Sequence, residues 1–281
     1  MTELAERAVQ ADPPPSRRSA VGDLLRYRQL VGMLVVRELK VRYKRSVLGM
    51  LWTMLNPLLL MAVYAVVFAT IMQSPQRNFA IFLLSGLLPW LFFSTAVLQG
   101  LTSILTNQEL IRKVRLPQAV FPLSVVGSNL VNFTLSLVPL LFLMALLGQP
   151  FTPALLFIPV GMLVLAIFTS GVTLLFSTFT VFFRDVRHLT EVLLQMLLYL
   201  SPVLYDLQIL GQRSEWWFRA FRLFLRLNPL SYLLPLLRDP VYYGRLPSLP
   251  VLGIATLESV LMLSLGFLIF HRLAPRHIHY L

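Results

Sequence analysis

The length of its uncharged stretches limits most strongly what this chain can fold into. No residue from Leu116 to Phe183 is charged, a run of 68 positions, and runs of 31 uncharged residues lie on either side of Arg77. A bilayer core of about 30 Å needs about 20 apolar residues in a helix. Only a helix satisfies its own backbone hydrogen bonds within one segment in lipid. The sequence therefore predicts an all-α polytopic membrane protein.

The longest run is too long for one crossing, and it contains the segment LGQPFTP at 147–153. Because glycine and proline favour a turn there, this run is predicted to be a helical hairpin. A shorter apolar segment follows it, and another lies near the C-terminus. The six predicted spans are at about 50–72, 79–102, 118–147, 153–182, 188–204 and 249–270.

The basic residues predict the direction of these spans. Of the 24 Lys and Arg residues, 17 lie in 1–49, in the loops at 103–118 and 183–188, and after Phe270. Lys and Arg concentrate in cytoplasmic segments, so these segments and both termini are predicted to be cytoplasmic. The first 49 residues hold ten Lys or Arg and no early apolar core, so no cleavable signal peptide is predicted.

The segment 23–45 is predicted to be a helix lying in the cytoplasmic headgroup layer. On a helical wheel its apolar arc and its basic arc are opposite. The apolar arc holds Val35, Val36, Leu39 and Tyr43, and the basic arc holds Arg37, Lys40 and Lys44. Such a helix either only anchors the topology or also meets an anionic partner or substrate head.

A second short helix is predicted in the loop TNQELIRKVRLP. Thr106 is followed three residues later by Glu109, the pattern of a capping box, and Pro117 closes the segment. This helix is either an ordinary solvated surface helix or a docking element.

The segment 214–238 has the pattern of two helices that are too short to span. One face of the first holds Glu215, Arg219, Arg222 and Arg226, and another holds Trp217, Phe221, Phe224 and Leu225. Asn228 and Pro229 interrupt the pattern before a second apolar piece. The segment is predicted to be a re-entrant hairpin on the outer side, with an ordinary interfacial helix as the alternative.

Several kinds of chemistry are absent from the sequence. There is no cysteine, which excludes disulfides and thiol catalysis, and no lysine follows a glycine, which excludes a phosphate-binding loop. The four histidines lack ligand spacing, so no metal site is predicted. Asp185, His188 and Glu191 match no catalytic motif and are interpreted as a polar loop. Glu258, inside a predicted span, is either a proton-relay residue or a buried hydrogen-bonding or packing residue.

Aromatic residues make up 12% of the chain, and some align along the predicted helices. They are Tyr64, Phe68, Phe82, Trp90 and Phe93. Such stripes usually pack helices together or contact lipid. The alternative is that they line a conduit, because aromatic faces bind sugar rings without strict specificity.

Five segments together carry a family pattern. They are RELKVRYKRSVLGMLWTMLNPLLLMAVYAVVF, FLLSGLLPWLFFSTAV, NQELIRKVRLP, FFRDVRHLTEVLLQMLLYLSPVLY and LNPLSYLLPLLRD. Over residues 30 to 275 the chain resembles the permease subunits of ABC exporters for polysaccharides and polyol phosphates, the O-antigen, capsule and teichoic-acid group. Residues 1–22 lie outside the resemblance and are predicted to be a disordered cytoplasmic tail. Residues 23–281 are predicted to form a single permease domain.

The resemblance implies a non-catalytic permease subunit in the bacterial cytoplasmic (inner) membrane. Two copies would form a homodimer with a channel at its axis and would bind two copies of a separate ATPase. ATP and Mg would be bound by that partner, so no cofactor is expected on this chain. The substrate would be a lipid-linked polysaccharide, and no nucleic-acid partner is expected.

The resemblance also implies roles for three groups of residues. The helix coupled to the ATPase would contain Glu109, Leu110, Ile111, Arg112, Lys113 and Arg115. The outer gate would contain Trp216, Trp217, Arg219, Arg222 and Arg226. The basic helix beside the cytoplasmic entrance would hold Arg37, Lys40, Arg42, Lys44 and Arg45. That an anionic head is drawn in there is a hypothesis that rests on their charge and placement.

Two other transport functions and one enzymatic function stay open. An ABC permease for drugs or lipids would share the fold and differ only in the conduit. An ion-coupled carrier would normally show ionisable clusters in the membrane or paired broken helices. A membrane-embedded transferase would need acid, base or metal-binding residues gathered at one interface.

Overall fold

The computed structural model describes residues 28–44, 46, 48–66, 78–113, 116–206, 216–277 and 280. The first part of the described chain forms α1 (Arg28–Tyr43), α2 (Leu51–Val66), α3 (Phe79–Leu101), α4 (Ser103–Thr106), α5 (Gln108–Lys113) and α6 (Val120–Leu146). The second part forms α7 (Ile158–Phe182), α8 (Val186–Leu200), α9 (Trp216–Leu227), α10 (Leu230–Leu233), α11 (Pro235–Arg238) and α12 (Leu249–His277). A 3₁₀ turn (Pro153–Phe157) leads into α7, and a π-helical turn (Asp239–Tyr243) follows α11. The prediction of an all-α fold is confirmed for the described residues.

Four helices within the described residues are long and apolar enough to cross a bilayer. They are α3, α6, α7 with its preceding 3₁₀ turn, and α12. Helix α3 is the most buried of these four and packs against both α6 and α7. Its side chains Ile81, Phe82 and Leu83 have no exposed surface. The hydrophobic core therefore surrounds α3.

The predicted hairpin between the third and fourth spans is present. Helix α6 ends at Leu146, and Gly148 has a φ of +66°, a conformation that glycine adopts without a steric penalty. The Gln149 side chain then accepts a hydrogen bond from Asn78 and donates one to the Tyr242 carbonyl. These bonds hold the turn against the start of α3 and against the segment after α11.

The predicted span at 188–204 is too long at its C-terminal end. Helix α8 has 15 residues, which at about 1.5 Å per residue reach about 22 Å, less than a bilayer core. Ser201 has extended backbone angles, as is usual for a residue that precedes proline. The chain therefore leaves the helix before Pro202.

The first and last predicted spans also differ from the observed helices. Helix α2 is described only to Val66, and the remainder of the predicted span at 50–72 lies outside the described residues. Helix α12 continues to His277, seven residues beyond the predicted end. Its last turn carries Arg276, which a helix C-terminus favours, and buries the His277 ring.

Helices α7 and α12 come into close contact at two glycines, Gly171 and Gly266. A Cβ atom built on Gly266 would lie 2.1 Å from the Gly171 carbonyl oxygen, and one built on Gly171 would lie 2.4 Å from the Met262 carbonyl oxygen. Only the missing side chains let the two backbones approach this closely. Small residues at helix contacts are a common packing device in membranes.

Candidate functional site

Helix α1 packs along α6 at the edge of the helical bundle. Its most buried side chain is Leu34, which belongs to an apolar cluster with Ile111 and Phe121. Val35, Leu39 and Tyr43 are half-buried, whereas Val36 is 49% exposed. The face of α1 against α6 is centred on Leu34, and the position of the apolar arc in the headgroup layer stays a prediction.

The basic residues of α1 have different surroundings. Lys40 and Lys44 are exposed, whereas Arg42 is half-buried and faces the bundle. Arg37 donates a 2.7 Å hydrogen bond to the Asn107 side chain and also contacts Glu38. Arg45 lies outside the described residues. The structure therefore separates a cation facing inward from cations at the surface.

Arg42 lies at a cavity of about 370 Å³ between α1, α2, α3 and α6. The cavity is lined by both polar and apolar side chains. The polar lining includes Arg42, Tyr43, Asn56, Thr95, Asn129 and Asn132, and the apolar lining includes Trp52, Pro57, Leu88, Leu91, Phe92 and Phe133. Such a combination suits a ligand with a polar head and an apolar body.

Hydrogen bonds fix the polar side chains that line this cavity. Arg42 Nη1 donates to Asn129 Oδ1 at 3.2 Å, and Arg42 Nη2 donates to Gln99 Oε1. The Asn129 amide also donates to Gln99, at 3.0 Å. The Tyr43 hydroxyl donates to Asn132 Oδ1 at 2.8 Å, and burial raises the pKa of this phenol, so it stays protonated.

Sequence reasoning missed Gln99, Asn129 and Asn132 as members of this site. A signal was present, because amides within otherwise apolar spans usually bond across helices. Asn129 and Asn132 are three residues apart and therefore lie on the same face of α6. That their partners come from α1 and α3 was not readable from the sequence.

The predicted docking helix is present as α5 and is followed by residues outside the described part of the chain. Ile111 is buried in the cluster with Leu34, Leu110 is half-buried, and Glu109, Arg112 and Lys113 are exposed. Arg115 lies outside the described residues. The helix is thus anchored by its apolar side and presents charges on the other.

The predicted capping box at α5 was wrong. Thr106 is the last residue of α4, and its hydroxyl donates to the Thr102 carbonyl instead of capping α5. Asn107 occupies the turn, and its carbonyl accepts hydrogen bonds from the Leu110 and Ile111 amides. The chain therefore enters α5 directly from the preceding helical turn.

The segment after α8 contains helices that are too short to span, as predicted. In α9, Arg219, Arg222 and Arg226 line one shallow cleft together with Leu223, while Trp216 and Trp217 are exposed. The break predicted at Asn228 is confirmed. The Asn228 side chain accepts a hydrogen bond from the Leu230 amide and donates one to the Ser201 hydroxyl. Glu215 lies outside the described residues.

Sequence reasoning also missed a buried arginine, Arg238, which is only 6% exposed. Its guanidinium donates to the Pro202 and Val203 carbonyls at 2.6 and 2.7 Å and lies 4.2 Å from the centre of the Phe82 ring. These contacts join α11 to α3 and to the non-helical residues after α8. The signal in the sequence was one arginine within the apolar string LLPLLRDP.

Three of the five aromatic residues predicted to line a conduit are buried within this chain. Phe82 lies against Arg238, and the centre of the Phe93 ring lies 5.9 Å from the ring centres of both Trp90 and Phe168. Phe68 and the side chain of Tyr64 lie outside the described residues. Within the chain Phe82, Trp90 and Phe93 pack the core, and a conduit role for these aromatics stays a prediction.

Among the described residues, no three acidic or histidine side chains are grouped so that they could hold a metal ion. Glu191 pairs with Arg187 and His188 on an exposed surface. Glu258 is half-buried on α12, and one of its carboxylate oxygens has no hydrogen-bond partner among the described residues. His277 contacts Gln118 and packs against Phe182 and Phe270.

Comparison with known proteins identifies the family. The sequence model described as ABC-2 type transporter matches residues 29–242. The chain belongs to the ABC-2 type transporter family. The matched range runs from the start of α1 into the π-helical turn, so it includes the cavity, α5 and the short helices α9 to α11.

The chain is also similar to individual permeases over nearly their whole length. It is 40% identical over 243 residues to an O-antigen export system permease protein of Myxococcus xanthus, covering 86% of this chain and 92% of that protein. It is 31% identical to an O-antigen export system permease protein of Klebsiella pneumoniae, covering 88% and 94%. It is 25% identical to a polysialic acid transport protein of Escherichia coli, covering 85% and 92%.

Proposed function

We propose that this chain is the transmembrane subunit of an ATP-driven exporter for a lipid-linked cell-surface polysaccharide of the O-antigen type. The observation that carries the proposal is the similarity, over nine-tenths of their length, to permeases named for O-antigen export. A transporter of polysialic acid is similar over a comparable range. The chain breaks no bond in its substrate and takes its energy from an ATPase on a separate chain.

We further propose six spans in the bacterial inner membrane, with both termini in the cytoplasm. The four long apolar helices account for four of them. The fifth would be α2 with the rest of the predicted span at 50–72, and the sixth would be α8 with the buried non-helical residues 201–204. The concentration of Lys and Arg in the segments at one end of these spans supports the orientation. Two copies form a homodimer, and the polymer passes along its axis.

In this mechanism α5 docks on the ATPase. Its exposed residues Glu109, Arg112 and Lys113 offer charges to a partner, and buried Ile111 transmits the push into the bundle. Leu34 of α1 shares the cluster of Ile111, and Arg37 of α1 is bonded to Asn107 beside α5. Helices α1 and α5 therefore move as one unit when ATP closes the partner subunits.

The test is co-purification with a candidate ABC ATPase from the genomic neighbourhood of this chain. A chain carrying Glu109→Ala, Arg112→Ala and Lys113→Ala is expected to lose the ATPase and the long-chain surface polymer. Arg184→Ala, in the other loop predicted on the same side, is the control and should retain both. If the triple variant keeps the complex and normal export, the coupling role of α5 is wrong.

Gene deletion tests the substrate. We expect loss of the long-chain surface polymer, visible on a gel of extracted glycans. A normal polymer together with altered drug tolerance would contradict polysaccharide export and favour an ABC permease for drugs.

A further inference from the structure

We propose that the cavity between α1, α2, α3 and α6 binds the phosphate-bearing head of a single lipid, with Arg42 as its main anion ligand. The binding site is inferred from the contacts in the structure. Only the identification of the lipid as the carrier of the exported substrate rests on the proposed function.

The charge of Arg42 is the first argument. Its guanidinium donates to the neutral side-chain amides of Gln99 and Asn129, and the neighbouring Tyr43 phenol is neutral too. No carboxylate of the described residues lies within 4.0 Å of it. A half-buried cation with neutral partners gains from an anion, because partial desolvation strengthens the attraction. A guanidinium has five N–H donors, more than these three neighbours take, so donors remain for phosphate oxygens.

Asn132 supplies a second, independent argument. This residue lines the cavity and is 8% exposed. Its Oδ1 accepts the Tyr43 hydroxyl, but its Nδ2 has no acceptor among the described residues. A buried donor without a partner costs about 1–3 kcal/mol. The polar lining of the cavity therefore has an excess of donors, which an oxygen-rich anion would satisfy.

The apolar lining explains why the anion belongs to a lipid. Leu91, Phe92 and Phe133 line the cavity together with the polar residues, and Trp52, which also lines it, is 49% exposed. Tryptophan at a membrane protein surface favours the boundary between headgroups and hydrocarbon. A free inorganic anion would gain nothing from this wall, whereas the first part of a lipid chain would cover it.

The volume limits how much of the lipid enters. At about 30 Å³ for each water molecule, 370 Å³ corresponds to about a dozen waters. This space holds a phosphate or pyrophosphate and the start of one chain, but not several sugars. The cavity therefore receives the head of a lipid and not the polymer.

The experiment measures lipid binding to the purified full-length chain in detergent, without the ATPase, by tryptophan fluorescence. The probes are geranylgeranyl diphosphate and dioctanoyl phosphatidic acid, with geranylgeraniol and dioctanoylglycerol as their uncharged counterparts. We expect the two phosphate lipids to bind at least tenfold more tightly than their counterparts. Tighter binding of the diphosphate would identify a substrate carrier, and equal binding would identify a membrane phospholipid. Either outcome supports the site.

Two substitutions locate the binding, with one control. Arg42→Gln removes the charge and keeps an amide, and we expect affinity for the phosphate lipids to fall about tenfold to a hundredfold, as for a hydrogen bond to a charged group. Asn132→Asp is nearly isosteric and places a carboxylate in the cavity, so it should weaken binding similarly. Arg272→Gln removes an exposed charge from α12, outside the cavity lining, and should change affinity less than about twofold.

Equal binding of charged and uncharged lipids would overturn the proposal. So would unchanged affinity in Arg42→Gln and Asn132→Asp, with circular dichroism showing that both variants are folded. The assay involves neither ATPase nor transport. A failure here therefore leaves the proposed export function standing, and a failure of the export tests leaves this site standing.

Discussion

Replacing Gly266 by alanine is expected to destabilise the contact between α7 and α12, although alanine is the better helix former. The added Cβ would lie 2.1 Å from the Gly171 carbonyl oxygen and 3.1 Å from the Gly171 Cα. Both atoms belong to the backbone, so no side-chain rotation relieves the overlap. The two helices must separate, and the side chains packed along their contact lose van der Waals attraction.

Two opposing terms set the magnitude. Alanine favours a helix interior by about 1 kcal/mol relative to glycine. Overpacking costs about 1–3 kcal/mol, and a clash between backbones belongs at the upper end of that range. The free energy of unfolding is therefore expected to fall by about 2 kcal/mol.

Gly253 provides a matched control on the same helix, because a Cβ there would meet no heavy atom within 4 Å. Gly253→Ala should therefore gain the higher helix propensity of alanine without an overlap, and it should raise the free energy of unfolding by up to about 1 kcal/mol. The assay is SDS-induced unfolding of the purified full-length chain in mixed micelles, followed by circular dichroism. If Gly266→Ala unfolds at the same SDS fraction as the wild type or a higher one, the close crossing of α7 and α12 is wrong.

Three further sets of substitutions test other contacts with the same unfolding assay. Arg238→Met should leave the Pro202 and Val203 carbonyls without donors, at a cost of about 1–3 kcal/mol each. The control Arg245→Met removes an exposed guanidinium that pairs with Asp239 at 3.7 Å, and it should cost less than Arg238→Met. Equal effects would show that Arg238 is not a buried anchor. Asn228→Leu should cost about 1–2 kcal/mol by removing the cap at Leu230 and the bond to Ser201, and Asn228→Asp, which keeps the cap, should cost less. The effects of Arg37→Ala and Asn107→Ala on the free energy of unfolding should differ from additivity in the double variant by about 0.5 kcal/mol. Strict additivity would mean that α1 and the turn before α5 are not joined.

Local sequence patterns predicted the structure correctly where a few neighbouring residues decide it. The break at Asn228 and the turn at Gly148 follow from residues that disfavour helix continuation, whatever the rest of the chain does. The capping box at Thr106 failed because that pattern competes with a helix that was already propagating through the residue. The end of α8 was misplaced because hydrophobicity continues through 201–204 although the helix does not.

The basic residues of α1 show what a helical wheel leaves undecided. The wheel distinguishes the faces of a helix, but it does not say which face meets another helix. Arg42 contacts Gln99 and Asn129, which are 57 and 87 positions away in the chain. Arg37 contacts Asn107, which is 70 positions away. These contacts separate two arginines that look alike in sequence.

The sequence by itself determined that this chain is a bundle of apolar helices in a membrane, because lipid accepts a long uncharged segment only with its backbone hydrogen bonds closed. It also determined the family, through motifs that are local in the chain. The burial of Arg238 and the cavity that four helices line at Arg42 are evident only in the tertiary structure. Both depend on neighbours that are distant in sequence, and no local pattern specifies those neighbours.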